Sequence, residues 1–376
     1  LNFAGGSDKI QYAISGGLFD QKGTIINSRF QRYSFRSNFD LKVNDRIKIG
    51  TNLYFARTIN NRLRNDGGPN SQDAFNGNNV FGPNVLSSAL VYNPTFAVLN
   101  ADGTYTRDTI RGNSNPVALA TEANLVSRNL RLIGNFFGEV NITKSLKFRT
   151  NLGLDLRTEN EDFFFAPNPA ALGSGRASAR AFNEQLSIIE NTLTYKKDFG
   201  SKHSLELLGG VTLQNSVQRS ALATASGLTS NVIQTVYGPL TNGSSFITEN
   251  GILSYIARAN YNFNKKYYVS LAGRTDASSR FGENRKYGYF PSVSLGWIVS
   301  DETFLVNSKA IDFLKIRASL GTTGNQEIGD FNYLGRVNFG SPYLGQTGAV
   351  PVNIDDNKFS WESTKQFNVG FDLSLY

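Results

Sequence analysis

One histidine, His203, and no cysteine or methionine among 376 residues narrow the chemistry open to this chain. A Ser-His-acid triad would have to run through His203. That residue sits beside a short predicted turn at 197–202, where a solvated or strand-capping imidazole is the plainer reading. Without cysteine there is no thiolate nucleophile, disulfide or Cys-zinc site, and one imidazole cannot build a His-rich metal centre. Acidic groups remain at Asp355 and Asp356, and at Glu159, Glu161 and Asp162. Beside loop carbonyls they suit a calcium ion; as ordinary loop acids they are simply solvated. No other cofactor is expected. No phosphate-cradling glycine loop occurs, and the residue set points away from an enzyme.

Side chains fit for binding are more plentiful. A sugar or peptide ligand uses flat rings beside amides and carboxylates. Phe75, Phe81, Tyr92 and Phe96 stand among Asn76, Asn78, Asn79 and Asn93, and Phe163, Phe164 and Phe165 near Asn160 and Asn168. For each ring, packing within its own loop is the plainer reading. Contact with a solute or a covering partner is the alternative.

These loops hang on long alternating strands. In Tyr33-Ser34-Phe35-Arg36-Ser37-Asn38-Phe39-Asp40-Leu41-Lys42-Val43 the odd positions are mostly apolar and the even ones polar. A strand sends successive side chains to opposite faces, so the run has one greasy and one wet face. Twelve strands are predicted, near 10–16, 27–43, 46–57, 127–142, 146–157, 184–196, 203–218, 250–263, 267–275, 287–300, 314–323 and 359–376. Many are two or three times the usual five or six residues. Short turns at 44–45, 143–145, 197–202 and 264–266 alternate with long links at 58–126, 158–183, 219–249, 276–286 and 324–358. A further link at 301–313, with Glu302, Phe304, Leu305 and Ala310 at roughly helical spacing, is expected to form a short helix capping the short-turn side.

The pattern predicts an all-β fold, an antiparallel transmembrane β-barrel with short periplasmic turns and long extracellular loops. A charged group facing lipid costs about 2–4 kcal/mol near the midplane. The charged face therefore lines the lumen, with Arg36, Asn38, Asp40, Arg131, Glu139, Arg149 and Asp155 as candidate lining residues. Aromatic residues near strand ends, among them Phe19, Tyr54, Tyr195, Tyr267, Tyr268, Tyr289, Phe290 and Trp297, are expected to form interfacial girdles. Two stretches without charge, 74–101 and 220–248, are broken by Asn, Gly, Pro, Ser and Thr and read as polar loops.

Net charge is +8, yet Lys and Arg are scattered with no block of five or six. This excludes nucleic acid as the expected partner and favours a wet lumen plus anionic lipid headgroups. A chain that opens on Leu1 and lacks methionine is expected to be an interior stretch of a longer protein, with 1–376 forming one partial barrel domain.

Asp276-Ala277-Ser278-Ser279-Arg280-Phe281-Gly282 followed by Tyr289-Phe290-Pro291-Ser292-Val293-Ser294-Leu295-Gly296-Trp297 resembles a signature of the SusC/RagA family of TonB-dependent outer-membrane transporters. The block from Leu314 to Gly321 with Gly324-Asn325-Gln326, and the block from Trp361 to Gly370, resemble the segments that follow it. The resemblance implies about twelve strands of a 22-stranded barrel, with the N-terminal plug, the TonB box and the last strands outside these residues. It also implies energised import of an oligosaccharide or peptide, with TonB coupling through the missing N-terminal region and a SusD-like surface lipoprotein as lid. Ser278 and Arg280 would then lie at the outer mouth, either fixing loop geometry or touching substrate. Two readings of other classes stay open: a passive porin-like or adhesive barrel, and a soluble β-sandwich adhesin.

Overall fold

A computed structural model describes residues 1–63, 85–168, 170, 174–356 and 358–375, and of 340–342 the backbone only. Its strands are β1 (Asn2–Gly6), β2 (Ile10–Lys22), β3 (Arg29–Lys42), β4 (Ile47–Arg62), β5 (Ala123–Asn141), β6 (Leu146–Phe165), β7 (Gly175–Phe199), β8 (His203–Leu228), β9 (Leu240–Phe263), β10 (Tyr267–Ser278), β11 (Tyr287–Ile298), β12 (Ile311–Asn325), β13 (Val337–Tyr343), β14 (Gln346–Pro351) and β15 (Glu362–Leu375). Thirteen make one antiparallel sheet in chain order, β1 to β12 and then β15, while β13 and β14 pair as a separate hairpin. Two short helices, α1 (Val85–Val91) and α2 (Pro116–Glu122), interrupt the β4–β5 link. Among the described residues no helix is long and apolar enough to cross a membrane.

Register keeps the two faces of the sheet distinct from strand to strand. Asn38 is opposite Asn52, Asn52 opposite Asn135, and Asn135 opposite Gly153. On the other face Leu130, Phe136, Val140, Leu152, Leu213, Leu271, Leu295 and Phe367 are exposed. From Leu130 to Val140 this band runs about 33 Å along the strand, which at a barrel tilt near 40° is about 25 Å of thickness. That matches the apolar band of an outer-membrane barrel. Beyond it the same face turns polar, with ion pairs Asp20–Arg29 and Arg128–Asp162.

The buried core lies at the long-link end, where the ends of β5 to β8 pack against α1 and α2 and the adjoining links. Val85, Leu119, Ala120, Leu125, Phe163 and Phe165 form one cluster, and Phe164, Ala166, Ala177, Ala225 and Leu228 another. Asn115 organises the first. Its side-chain oxygen caps α2 by accepting from Val117 N and Ala118 N, and its Nδ2 donates to Val98 O and Thr106 O. A lone amide thus satisfies orphan donors of the helix and ties down the link before it.

The structure differs from the sequence expectation in five places. The 74–101 stretch, expected to be a polar loop, holds α1, and the 58–126 link also holds α2. β1 and the β13–β14 hairpin were not anticipated; both are short, and a short strand carries too few alternations to stand out. The links at 158–183 and 219–249 are mostly strand, because β7, β8 and β9 run to 25, 26 and 24 residues. Their small Ala, Ser and Thr residues hide the alternation although the ladder continues. The expected helix at 301–313 is a run of turns, with Leu305 N and Val306 N both donating to Glu302 O. Finally, Phe19, Tyr54, Tyr268 and Phe290 share the polar face, so they do not belong to a lipid girdle. Tyr54 sits under Arg36 and Tyr268 under Lys315. Position along a strand places a ring at a given height, but the period of two decides which face it takes.

Candidate functional site

The polar face is a continuous field of paired side chains. Arg131 grips Asp155 with both arms, Nε at 3.0 Å and Nη2 at 2.6 Å. Asp40 takes Lys48 at 2.9 Å. Glu139 lies between Lys147 at 3.5 Å and Arg149 at 3.7 Å, and Arg149 stacks over Phe137 at 4.3 Å. Asn135 donates to Asn151, which donates to Glu190. Arg36 lies over Tyr54, and Asn38 sits in register with Asn52. All seven candidate lining residues therefore fall on the face opposite the apolar band. Such a wall presents charges of both signs and many exchangeable hydrogen bonds.

Toward its short-link end this face hollows into a cavity of about 850 Å³. Glu206, Asn260, Asn262, Ser270, Lys315, Arg317 and Asn368 line it, and Asn262 Oδ1 is buried without a hydrogen-bond partner. Val269, Leu295, Ala318 and Val369 share the lining, so the cavity is of mixed character.

At the long-link end the segment 276–297 builds a clasp. Asp330, in the β12–β15 connection, accepts from Thr248 and Asn250 of β9 and from Arg280 Nε at 2.7 Å. Arg280 also holds Glu327 at 2.9 Å. Burial pushes the Asp330 carboxyl up, but the bonds from Thr248, Arg280 and Asn250 outweigh it and leave it below the ordinary carboxylate range. Ser278 is 1% exposed, and its hydroxyl accepts from Arg280 N. Asp276 binds Arg274, which reaches Ser254. Beside this, Phe281 is fully buried, with Trp361 at 5.3 Å, and Phe290 meets Trp361 edge-on at 5.3 Å. Trp361 Nε1 donates to Lys286 O. A Cβ on Gly288 would stand 2.5 Å from the Phe290 ring, and one on Gly324 would overlap it. Glycine is required there by close approach.

The remaining candidates scatter. Phe163 and Phe164 are 4% and 2% exposed and sit in the two core clusters, leaving no ring face for a ligand. Tyr92 and Phe96 are half-buried, with centroids 6.1 Å apart, and Tyr92 bonds Thr106. Phe81, with Phe75, Asn76, Asn78 and Asn79, lies outside the described residues. Of the acids weighed for calcium, three are divided between arginines, Glu159 with Arg157, Glu161 with Arg62 and Asp162 with Arg128, while Asp355 and Asp356 lie in the β14–β15 link, where Asp356 accepts from Lys358 N. Among the described residues no three His, Cys, Asp or Glu gather as a metal site. Sequence reasoning did not single out Asp330, Thr248 or Asn250. Asp330 is 50 residues from Arg280, and no local pattern links them.

Comparison with known proteins gives a consistent picture. No protein-family model matches the chain. It is 33% identical over its full length to "TonB-dependent receptor P3" of Formosa agariphila, covering 38% of that protein. It is 24% identical, again over its full length, to "TonB-dependent receptor SusC" of Bacteroides thetaiotaomicron, covering 39%. The solved RagAB peptide transporter superposes with a TM-score of 0.82 at 26% identity, covering all of this chain and 42% of that one. The chain thus spans about two fifths of the length of the relatives it matches.

Proposed function

We propose, on the premise that this chain is a stretch of barrel belonging to the SusC/RagA-like TonB-dependent receptors of the outer membrane, that the intact protein imports a nutrient oligosaccharide or peptide. TonB supplies the energy, and a SusD-like surface lipoprotein acts as lid. One observation carries the reading: an apolar band about 25 Å thick backs an unbroken polar wall across the sheet. The solute passes along that wall, past Arg36, Asn38, Asp40, Arg131, Glu139, Arg149 and Asp155. Apart from Arg36, which lies over Tyr54, the charged members are ion-paired, so no single site holds the cargo tightly. The protein is a transporter and not an enzyme, and it needs no cofactor; a loop calcium would be structural. Among the relatives, RagAB is named a peptide transporter while P3 and SusC are named without a substrate, so glycan and peptide both stay in play.

Tyr92 and Phe96 are the described ring candidates with partly accessible faces, and they belong to the loop that would meet solute or lid. Ser278 and Arg280 serve the outer mouth by holding its geometry.

The test is uptake of labelled oligosaccharides and peptides by cells with and without the gene. Loss of one class on deletion, and again on collapse of the proton-motive force, is the expected result. Uptake that survives collapse of the force would make the barrel a passive porin. Unchanged uptake of every solute would leave adhesion as the better account.

A further inference from the structure

The two ends of the sheet treat their basic residues differently. At the short-link end Lys9, Lys144, Lys197, Lys202, Lys265 and Lys309 lie in or beside the links 7–9, 142–145, 200–202, 264–266 and 299–310, and all six are exposed. Ion pairs at this end occupy other lysines, Lys42 with Asp45 and Lys266 with Glu302. None of the six joins an ion pair among the described residues. At the opposite end Arg62, Arg128, Arg157 and Arg280 are each bound to a carboxylate, whereas Lys22, Arg107, Arg111 and Arg285 are exposed there too. What sets the short-link rim apart is that its exposed cations are nearly all lysines and stand beside a row of rings.

Next to the unpaired lysines, a ladder of rings crosses the apolar face from β8 to β11. His203 meets Phe263 at 5.0 Å, Phe263 stacks on Tyr267 at 6.0 Å, and Tyr267 stacks on Trp297 at 6.3 Å. Glu302 fastens the 299–310 link to this ladder, accepting from Tyr267 Oη at 2.6 Å and Trp297 Nε1 at 3.1 Å. The link then presents Phe304 and Val306, 69% and 61% exposed. Rings with one apolar and one polar edge settle at the boundary between acyl chains and headgroups. A lysine at that height lays its stem along the rings and carries its ammonium to the phosphate level.

We infer that the short-link rim binds the headgroups of anionic phospholipids, the ring ladder setting the depth and the unpaired lysines supplying the countercharge. The inference rests on the outer-membrane placement of the barrel and not on import, so a failed uptake assay leaves it standing. Each juxtamembrane lysine is worth about fivefold in binding to an anionic surface.

The test uses the intact receptor that contains this chain, in nanodiscs of phosphatidylglycerol mixed with phosphatidylcholine. Lipid retained on the protein is counted by native mass spectrometry. The wild type should enrich phosphatidylglycerol. A variant carrying Lys144→Gln, Lys202→Gln, Lys265→Gln and Lys309→Gln should lose at least about tenfold of that preference, and the same four Lys→Arg changes should keep it. Heat-modifiable gel mobility verifies that each barrel folds; should the fourfold Gln variant not fold, the four single variants carry the comparison at about fivefold each. No enrichment in the wild type, or enrichment kept by the Gln variants, overturns the inference. Displacement of the lipid by inorganic phosphate at equal ionic strength also overturns it, because a small-anion site and not a bilayer surface would then be responsible.

Discussion

Replacing Asp330 by alanine should release the β12–β15 connection from the wall. Three donors from two elements converge on this carboxylate: Thr248 and Asn250 of β9, and Arg280 of the β10–β11 link. The side chains of Arg280 and Asp330 are 14% and 11% exposed, so water replaces little of what is lost. Breaking a fully buried pair costs about 3–5 kcal/mol. Here Arg280 keeps Glu327 as a second partner, which brings the expected cost down to about 2–3 kcal/mol, the scale of one or two charge-assisted hydrogen bonds. The loss is local, since the ladders of β9, β10 and β12 do not depend on the clasp. Amide hydrogen exchange in the intact receptor, followed in peptides covering 326–336 and 245–251, should therefore speed up about thirty- to hundredfold while β5–β8 stay protected. Arg280→Ala should give a similar pattern, and the double variant should fall well short of the sum. Exchange altered less than about threefold in Asp330→Ala, or fully additive behaviour in the double variant, would refute the assignment of these residues as a single clasp.

Acid should open the same clasp. Asp330 is held below its ordinary value near 4. A depressed folded value means the stabilisation is fully present above that ordinary value and is lost as pH falls through the folded one. Protection in 326–336, taken relative to the intrinsic exchange rate at each pH, should thus be constant from neutral pH down to about 4 and fall below it, and Asp330→Asn should abolish that fall. Leu132→Arg, on the apolar face, should cost about 2–4 kcal/mol in folding into bilayers, whereas Arg131→Leu, one residue away on the polar face, should cost less than half of that; equal costs in urea titrations would contradict the face assignment. Gly324→Ala should force the Phe290 and Trp361 rings apart at a cost of about 1–3 kcal/mol, read in the intact protein as faster amide exchange in peptides covering 358–364. Unchanged exchange there would show that the rings are not in close contact with that glycine.

The face assignment was legible in the sequence because it depends on period two alone. Arg131, Asn135 and Glu139 share a side whatever their neighbours do, and Leu130, Leu132 and Phe136 share the other. Short turns were legible for a similar reason. Asn264 and Lys265 take positive φ, a tight hairpin geometry that asparagine tolerates locally. The signature around Ser278, Arg280 and Phe290 was readable as a family resemblance but not as a set of contacts.

Strand length, ring orientation and the clasp were settled only in three dimensions. β7 and β8 continue through Ala177, Ala179, Ala221 and Ala223 because backbone ladder bonds hold small residues whose side chains signal nothing. The 301–313 link gave up a helix once Glu302 was drawn to Tyr267 and Trp297, since a few local turns yield readily to side-chain bonds from neighbouring strands. Asp330 found Arg280, and Trp361 found Phe281, across 50 and 80 residues of chain. Local pattern carries the information that alternation and turn chemistry need; contacts between distant segments depend on register summed over every strand between them, and only the folded sheet performs that sum.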